Sequence, residues 1–343
     1  MYPQIKMHLS ILSAIVLLFS ITAMFFGVYQ FQESFGDLIH KLFTNYQTIN
    51  DSDAYVLFDL RLPRIIMSVL VGSGLAVAGT CLQGIFKNPL ASPDLIGVTS
   101  GSVLFAAITI VLGGYLKNYI PELLHYSFLS LFSFLGAMLS TLFVYKISSH
   151  QRKTNITILL LAGVAISALC GSATGLLTYL STEEELINLT FWTLGSLGSS
   201  NWNKIYILSI ITVVCFYILI RKGKILNAIM LGEKEAEHLG INVEKTKKQI
   251  IICSALLVGT IVAFNGTIGF VGLIVPYILR LLFKSNYVII LPLSAFLGAL
   301  LVIIADTISR TLVAPSELPI GILTSLMGAP VFISILMNYK KSL

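Results

Sequence analysis

The sequence predicts an all-α, polytopic membrane protein of about ten transmembrane helices, forming a single transmembrane domain over residues 1–343. Three observations carry this. The chain is 56% hydrophobic with a mean hydropathy of +0.89, and only 11% of its residues are charged, where a soluble domain carries about 25%. Apolar runs of spanning length recur along the whole chain. The loops between them alternate between basic and acidic, which orients such runs in a bilayer.

The first run, Leu9 to Val28, follows Lys6 and His8. It is long enough to span and no small-x-small cleavage site clearly follows, so it is read as a retained helix rather than a signal peptide. Nine more spans follow: Ile65 to Gln83, Val98 to Leu116, Phe128 to Ile147, Ile156 to Leu180, Ile205 to Ile220, Ile250 to Phe264, Val271 to Phe283, Val288 to Ile308 and Ile320 to Met337. The eighth is short and interrupted by Pro276, and three glycines precede or open it: Gly266, Gly269 and Gly272. No strand precedes them, which argues against dinucleotide binding. A broken helix is expected, tolerated only where protein or water covers the backbone. Gln30 to Leu60 reads as an outer polar insertion and Arg221 to Gln249 as an inner one.

With the N-terminus in the cytoplasm, most of the 22 basic residues fall inside, and both termini are cytoplasmic. Lys41, Arg61, Arg64, Lys117, Lys204 and Arg310 remain outside, together with Glu33, Asp37, Asp51, Asp53 and Glu183 to Glu185. The formal charge of +6 comes without a basic stripe interleaved with aromatics, so no nucleic-acid partner is expected. Cys81, Cys170, Cys215 and Cys253 each lie in an apolar run and read as buried free thiols.

The sequence contains no phosphate-loop signature, no catalytic constellation and no metal-ligand spacing. An enzyme is therefore not expected, nor a cofactor, and if the protein does work an attached partner must supply the energy. Small residues recur every fourth position at Gly72, Ala76, Thr80 and Gly84, and again at Gly321, Ser325 and Ala329. Such stripes serve close helix packing or line a moving interface. In the inner insertion, Leu226 to Leu231 is apolar and Gly232 to Gly240 reads as a short amphipathic helix. Leu231, Ala236 and Leu239 are expected to share its apolar side, with Glu233, Lys234 and Glu237 in water. A solvated loop helix or a docking knob for a cytoplasmic partner would both look like this.

With these segments in order, the chain resembles the permease family of ABC importers for iron-siderophores, haem and cobalamin. The resemblance rests on Arg61-Leu-Pro-Arg64, Gly79-x-x-Leu-Gln83, Lys87-Asn-Pro-Leu-Ala91, Pro93-x-Leu-x-Gly97, Leu161-Ala-Gly163, Trp192-x-Leu-Gly195, Leu231-Gly-Glu233 with Leu239-Gly240, Gly269-Phe-Val-Gly-Leu-Ile-Val-Pro276, Arg280, Glu317-Leu-Pro-Ile-Gly321 and Gly328-Ala-Pro-Val-Phe332. It covers nearly everything from Arg61 onward.

The resemblance implies a bacterial cytoplasmic-membrane permease that pairs with a second permease subunit around an axial cavity. Two cytoplasmic ABC ATPase subunits, an external binding protein and an iron-chelate cargo complete the system. It assigns Arg61, Arg64 and Arg310 to docking of carboxylates on the binding protein, against interfacial anchoring or a local pair such as Arg310 with Asp306. It assigns a coupling segment at about 222–248, with Leu231, Gly232, Glu233, Leu239 and Gly240, to the ATPase. Thr154 and Asn155 match the gate region. Thr80, Gln83 and Ser167, from the second and fifth spans, are expected in the translocation pathway, along with residues of the eighth and tenth. An ion-coupled secondary transporter is the competing class and would need intramembrane acids or histidines; Asp306 alone sits inside an apolar run. The Trp192 to Gly198 segment leans toward a siderophore over cobalamin, with haem also open, as is homodimer against heterodimer.

Overall fold

The computed structural model describes residues 3–29, 31–32, 35–44, 49–113, 127–151 and 153–341. The expected outer end of the third span at Leu116, with Lys117, and the loop residues Gln30, Glu33 and Arg152 lie outside the described residues. Among the described residues, seven helices are long and apolar enough to cross a membrane and three shorter apolar helices accompany them. These correspond in order to the ten expected spans.

The long helices are α1 (Pro3–Phe25), α3 (Asp51–Phe86), α5 (Phe128–Ser148), α6 (Ile156–Leu180), α8 (Trp202–Ile220), α11 (Val243–Asn265) and α13 (Tyr287–Thr311). α4 (Val98–Val111) and α12 (Val271–Phe283) are short, and α14 (Ile320–Lys341) closes the chain. Outside the spans lie α2 (Phe35–Thr44), α7 (Glu183–Leu194), α9 (Gly223–Leu231) and α10 (Glu233–His238). A two-residue antiparallel hairpin, β1 (Ser149–His150) with β2 (Lys153–Thr154), precedes α6, with Ser149 opposite Thr154.

The second span departs most from expectation. It begins at Asp51 rather than Ile65, so the expected outer insertion Gln30 to Leu60 contains helix. Asn50 caps it by accepting the Ser52 N–H at 3.3 Å, and Asp51 and Asp53 stand in its first turn, where they complement the helix dipole. At Val56–Arg61 the helix widens to a π turn, then resumes at Leu62 with Pro63 in its first turn. At 36 residues it runs about 54 Å, well beyond a hydrocarbon core of about 30 Å. The acid-bearing outer turns made it read as loop.

α3 is also the centre of the bundle. Of its most apolar stretch, 83% of residues are buried, against 11% in α1. On one side Gly72 lies against the backbone carbonyl of Gly298 in α13, and Gly298 against that of Gly72. On another, Gly79 faces the Gly272 carbonyl in α12. Any Cβ at these positions would strike backbone. α11 packs on a third side through Leu257 and Ile261, whose side chains reach Gly74. α1 covers the outside of α13 through Val16 and Ala23 against Ala299 and Ile303. α4, α5 and α6 form a neighbouring layer, tied by the Ser102–Ser133 hydroxyl pair at 2.6 Å.

The eighth span is the half-helix expected from its glycines. At 13 residues it is about 20 Å long. The chain breaks between Gly266 and Phe270, both with positive φ (71° and 65°). Backbone at the break is paired inside protein: the Asn265 carbonyl accepts the Ser196 N–H at 2.8 Å, Gly266 N–H donates to the Val262 carbonyl at 2.8 Å and Val271 N–H donates to the Gly269 carbonyl at 2.8 Å, while the Thr267 hydroxyl ties the segment to the Thr193 carbonyl at 2.5 Å. That is the condition under which irregular backbone survives at membrane depth.

Overpacking at the α3 contacts is expected to be severe because backbone, not a rotatable side chain, occupies the space. Gly79→Leu should lose about 3 kcal/mol or more and the monodisperse peak on size exclusion in detergent. Gly36→Ala, which meets nothing within 4 Å, should leave the elution profile unchanged.

Candidate functional site

A cavity of about 890 Å³ opens where the broken start of α12 meets α11, α14, the end of α7 and the 3-10 turn Pro93–Ile96. Its walls are apolar and hydroxylic: Leu75, Val258, Val262, Phe270, Leu273, Ile322 and Leu326 alternate with Ser92, Thr193, Thr267 and Ser325. Asp94 is the charged residue among the lining, and its carboxylate accepts from Ser92 at 3.3 Å and from the Thr99 hydroxyl. Among the described residues no group of three His, Cys, Asp or Glu side chains is placed to hold a metal ion.

The expected pathway residues lie elsewhere. Thr80 is fully enclosed and donates to the Ala76 carbonyl at 2.7 Å. Gln83 is equally enclosed, its amide nitrogen 3.5 Å from the Gly272 carbonyl and its side-chain oxygen unpartnered. Ser167 sits 3.0 Å from Ser100 in the α4–α6 seam. The cause is the small-residue stripe of α3. Its Gly72 lets α13 approach, and Gly79, one residue off the stripe, lets α12 approach, so that polar residues of α3 are sealed in the packing. The second stripe does the opposite, since Gly321, Ser325 and Ala329 of α14 all line the cavity. The fifth span contributes none of the lining, whereas α11 and the Pro93 turn, not anticipated there, contribute several residues.

At the opposite end of α3 the three arginines assigned to docking turn inward. Arg64 Nε is 2.9 Å from Asp306 Oδ1 and its Nη1 is 2.7 Å from Glu317 Oε1. Arg310 Nε lies 3.7 Å from Asp306 Oδ2, and its Nη2 donates to the Ala23 carbonyl. Arg61 donates to the carbonyls of Met24 at 2.6 Å and Tyr29 at 3.1 Å, with its guanidinium 4.6 Å from the Phe31 ring centre. All three are buried. The local pair of Arg310 with Asp306 is present, joined by Arg64. Together the three guanidinium groups meet two carboxylates, the Ala23 and Met24 carbonyls in the last turn of α1, and the Tyr29 carbonyl just beyond it. Beside this cluster Asp53 accepts the Tyr29 hydroxyl at 2.7 Å. That bond, followed by burial, raises the tyrosine above its ordinary pKa.

At the other end, the 222–248 segment folds into α9 and α10. Ala236 is buried against Ala228, Ile229 and Val243. Leu231 and Leu239 do not join it: they are 78% and 69% exposed, so the expected shared apolar side is divided. Glu233 is not simply in water, since it meets the Lys247 ammonium at 2.8 Å. Gly232 links α9 to α10 and Gly240 ends α10 at φ 78°. Asn227 accepts the Tyr287 N–H at 2.7 Å and donates to the Asn286 side chain at 2.9 Å, fixing α9 to the start of α13. Thr154 is buried at the end of β2, and Asn155 caps α6 by accepting the Ile158 N–H at 3.2 Å. α7 was not anticipated in the outer acidic loop, although Thr182 with Glu185 spells a capping box, and the structure forms it.

A model of the FecCD transport family matches residues 12–338. The hemin transport system permease protein HmuU of Yersinia pestis is 39% identical over 85% of this chain and 86% of its own length. The vitamin B12 import system permease protein BtuC of Vibrio cholerae is 37% identical over 84% of each. A solved structure described as an inward-facing conformation of a metal-chelate type ABC transporter superposes with a TM-score of 0.80 at 32% identity, covering 98% of this chain and 99% of that one.

The arginine cluster separates two acids by burial. Asp306→Asn strips the shared carboxylate from two buried guanidinium groups and should cost about 3–5 kcal/mol. Glu317, 43% exposed, is a rim partner, and Glu317→Gln should cost about 1 kcal/mol or less. Thermal unfolding of the two variants in the same detergent checks the order.

Proposed function

This chain belongs to the FecCD transport family, as a multi-pass ABC importer permease, and we propose that its cargo is an iron-siderophore-type chelate. The observation that carries this is the cavity: about 890 Å³, walled by apolar and hydroxyl side chains without a ligand set for bare metal. A metal already wrapped in an organic chelate needs only such a surface, and weak contacts let it leave. Haem is the second reading, favoured by the relative named for hemin transport; the relative named for vitamin B12 keeps cobalamin beside it.

Further parts of the proposal follow from chemistry the chain lacks or leaves exposed. With no phosphate loop in its sequence, it draws energy from two cytoplasmic ABC ATPase subunits, and Leu231 with Leu239 is the apolar surface offered to them. The open face of α6, where Gly171 and Gly175 meet nothing within 4 Å, is offered to a second permease subunit. Both termini are placed in the cytoplasm, in a bacterial cytoplasmic membrane, on the distribution of basic residues. Ion coupling is disfavoured because Asp306 is held by two arginines. Of the arginines assigned to binding-protein docking, Arg64 supports that role best. Its half-exposed partner Glu317 is the one an incoming carboxylate can replace, while Arg61 and Arg310 are committed to buried groups.

Growth under iron limitation on single iron sources tests the cargo. Rescue by a siderophore and not by hemin or cobalamin supports the first reading; rescue by hemin alone replaces it with the second. For docking, Glu317→Gln should raise the association rate of the binding protein, with the rate falling as salt rises; an unchanged rate removes Arg64 from the interface.

A further inference from the structure

Lys247 stands in the second turn of α11, and only 2% of its side chain is exposed. Its ammonium has three acceptors: Glu233 Oε2 at 2.8 Å, Glu244 Oε1 at 3.0 Å and the Thr154 carbonyl at 3.3 Å. The other oxygen of Glu244 accepts the Thr154 N–H at 2.8 Å. Both backbone polar groups of Thr154 are therefore held by one lysine–glutamate pair on α11, as a neighbouring strand would hold them.

Three segments meet at this ammonium. Glu233 is the first residue of α10 and lies two residues from exposed Leu231. Thr154 ends the hairpin, and the next residue caps α6. α11 itself continues from Lys247 to Val258 and Val262 in the cavity wall. A lysine kept only for stability would be a poor choice here, because apolar residues of similar volume usually serve a buried site as well or better. Its three charged or directional bonds instead fix the relative position of α10, the hairpin and α11.

We infer that Lys247 is a positioning residue of the transport cycle, passing displacement of the exposed Leu231–Leu239 knob to the entrance of α6 and to α11. The inference rests on the reading of that knob as the ATPase contact. It is distinct from docking: Lys247 is itself buried behind the knob and reaches it only through Glu233.

The experiment uses the full permease purified together with the ATPase that it captures, in lipid nanodiscs. Hydrogen–deuterium exchange is followed at residues 153–160, with and without ATP plus vanadate. In wild type, nucleotide should change exchange there by about tenfold. Lys247→Met should retain the ATPase and its hydrolysis, raise basal exchange at Thr154, and lose the nucleotide response. Lys247→Arg should restore it. Glu233→Ala removes the acceptor on α10, which glutamine would keep, so with ATPase bound it should keep basal protection of Thr154 while losing the response; it also serves if Lys247→Met fails to fold. Leu231→Asp with Leu239→Asp should instead abolish ATPase capture. A full nucleotide response in Glu233→Ala or in Lys247→Met, with ATPase bound, overturns the inference. Loss of ATPase capture in Glu233→Ala also overturns it, by making the cluster part of docking. Failure of the wild-type chain to capture any ATPase overturns the functional reading beneath it.

Discussion

The bundle is organised by backbone-to-backbone contact along α3. Lipid tails are as apolar as leucine, so helices in a bilayer gain little by hiding apolar side chains from one another; they gain by approaching closely. Gly72 against Gly298 and Gly79 against Gly272 bring α3 into direct carbonyl contact with α13 and α12. Once those distances are set, Thr80 and Gln83 have nowhere to point but into the seam. The cavity lies beside the start of α12, against α14, α11 and Leu75 of α3. The same contact fixes the height of α12, whose broken start supplies part of the cavity wall.

The polar groups of the fold gather at its two ends. At one end Arg61 and Arg310 take the last carbonyls of α1, while Arg64 and Arg310 share Asp306. A guanidinium suits this work because its planar fork offers several donors at fixed angles. The cluster joins α1, α3, α13 and the turn before α14. At the other end Asn227 fixes α9 to α13 and Lys247 fixes α10 to α11 and the hairpin. A load on the exposed leucines would therefore reach two helices that flank α3. Both ends are stiff, and the half-helix α12 with its irregular entry lies between them.

The cavity and the α9–α10 segment are separate parts of the chain. The cavity wall is mostly apolar, with a sparse set of hydroxyls and Asp94. The α9–α10 segment exposes two leucines on short helices held by buried polar bonds.

The sequence by itself determined the all-α membrane class, the order of the ten spans, the half-helix at Pro276 and the short helix after Gly232 in the inner insertion. These depend on local composition, glycine and proline placement, and charge alternation, which are properties of neighbouring residues. It also showed Gly321, Ser325 and Ala329 as one stripe, and the structure puts that stripe on the cavity. What it left open were matters of contact between residues far apart in the chain. The outer turns of α3 carry acids and read as loop, because a helix may be polar where another chain segment covers it. Arg61, Arg64 and Arg310 read as outer charges, since nothing local shows that Met24, Tyr29, Ala23, Asp306 and Glu317 converge on them. Thr80 and Gln83 looked suited to a pathway until the approach of α12 enclosed them. Lys247 looked like one more cytoplasmic charge among its neighbours. Its burial is decided by Glu233, fourteen residues earlier in the chain, and Thr154, ninety-three earlier, and only the tertiary structure brings those three together.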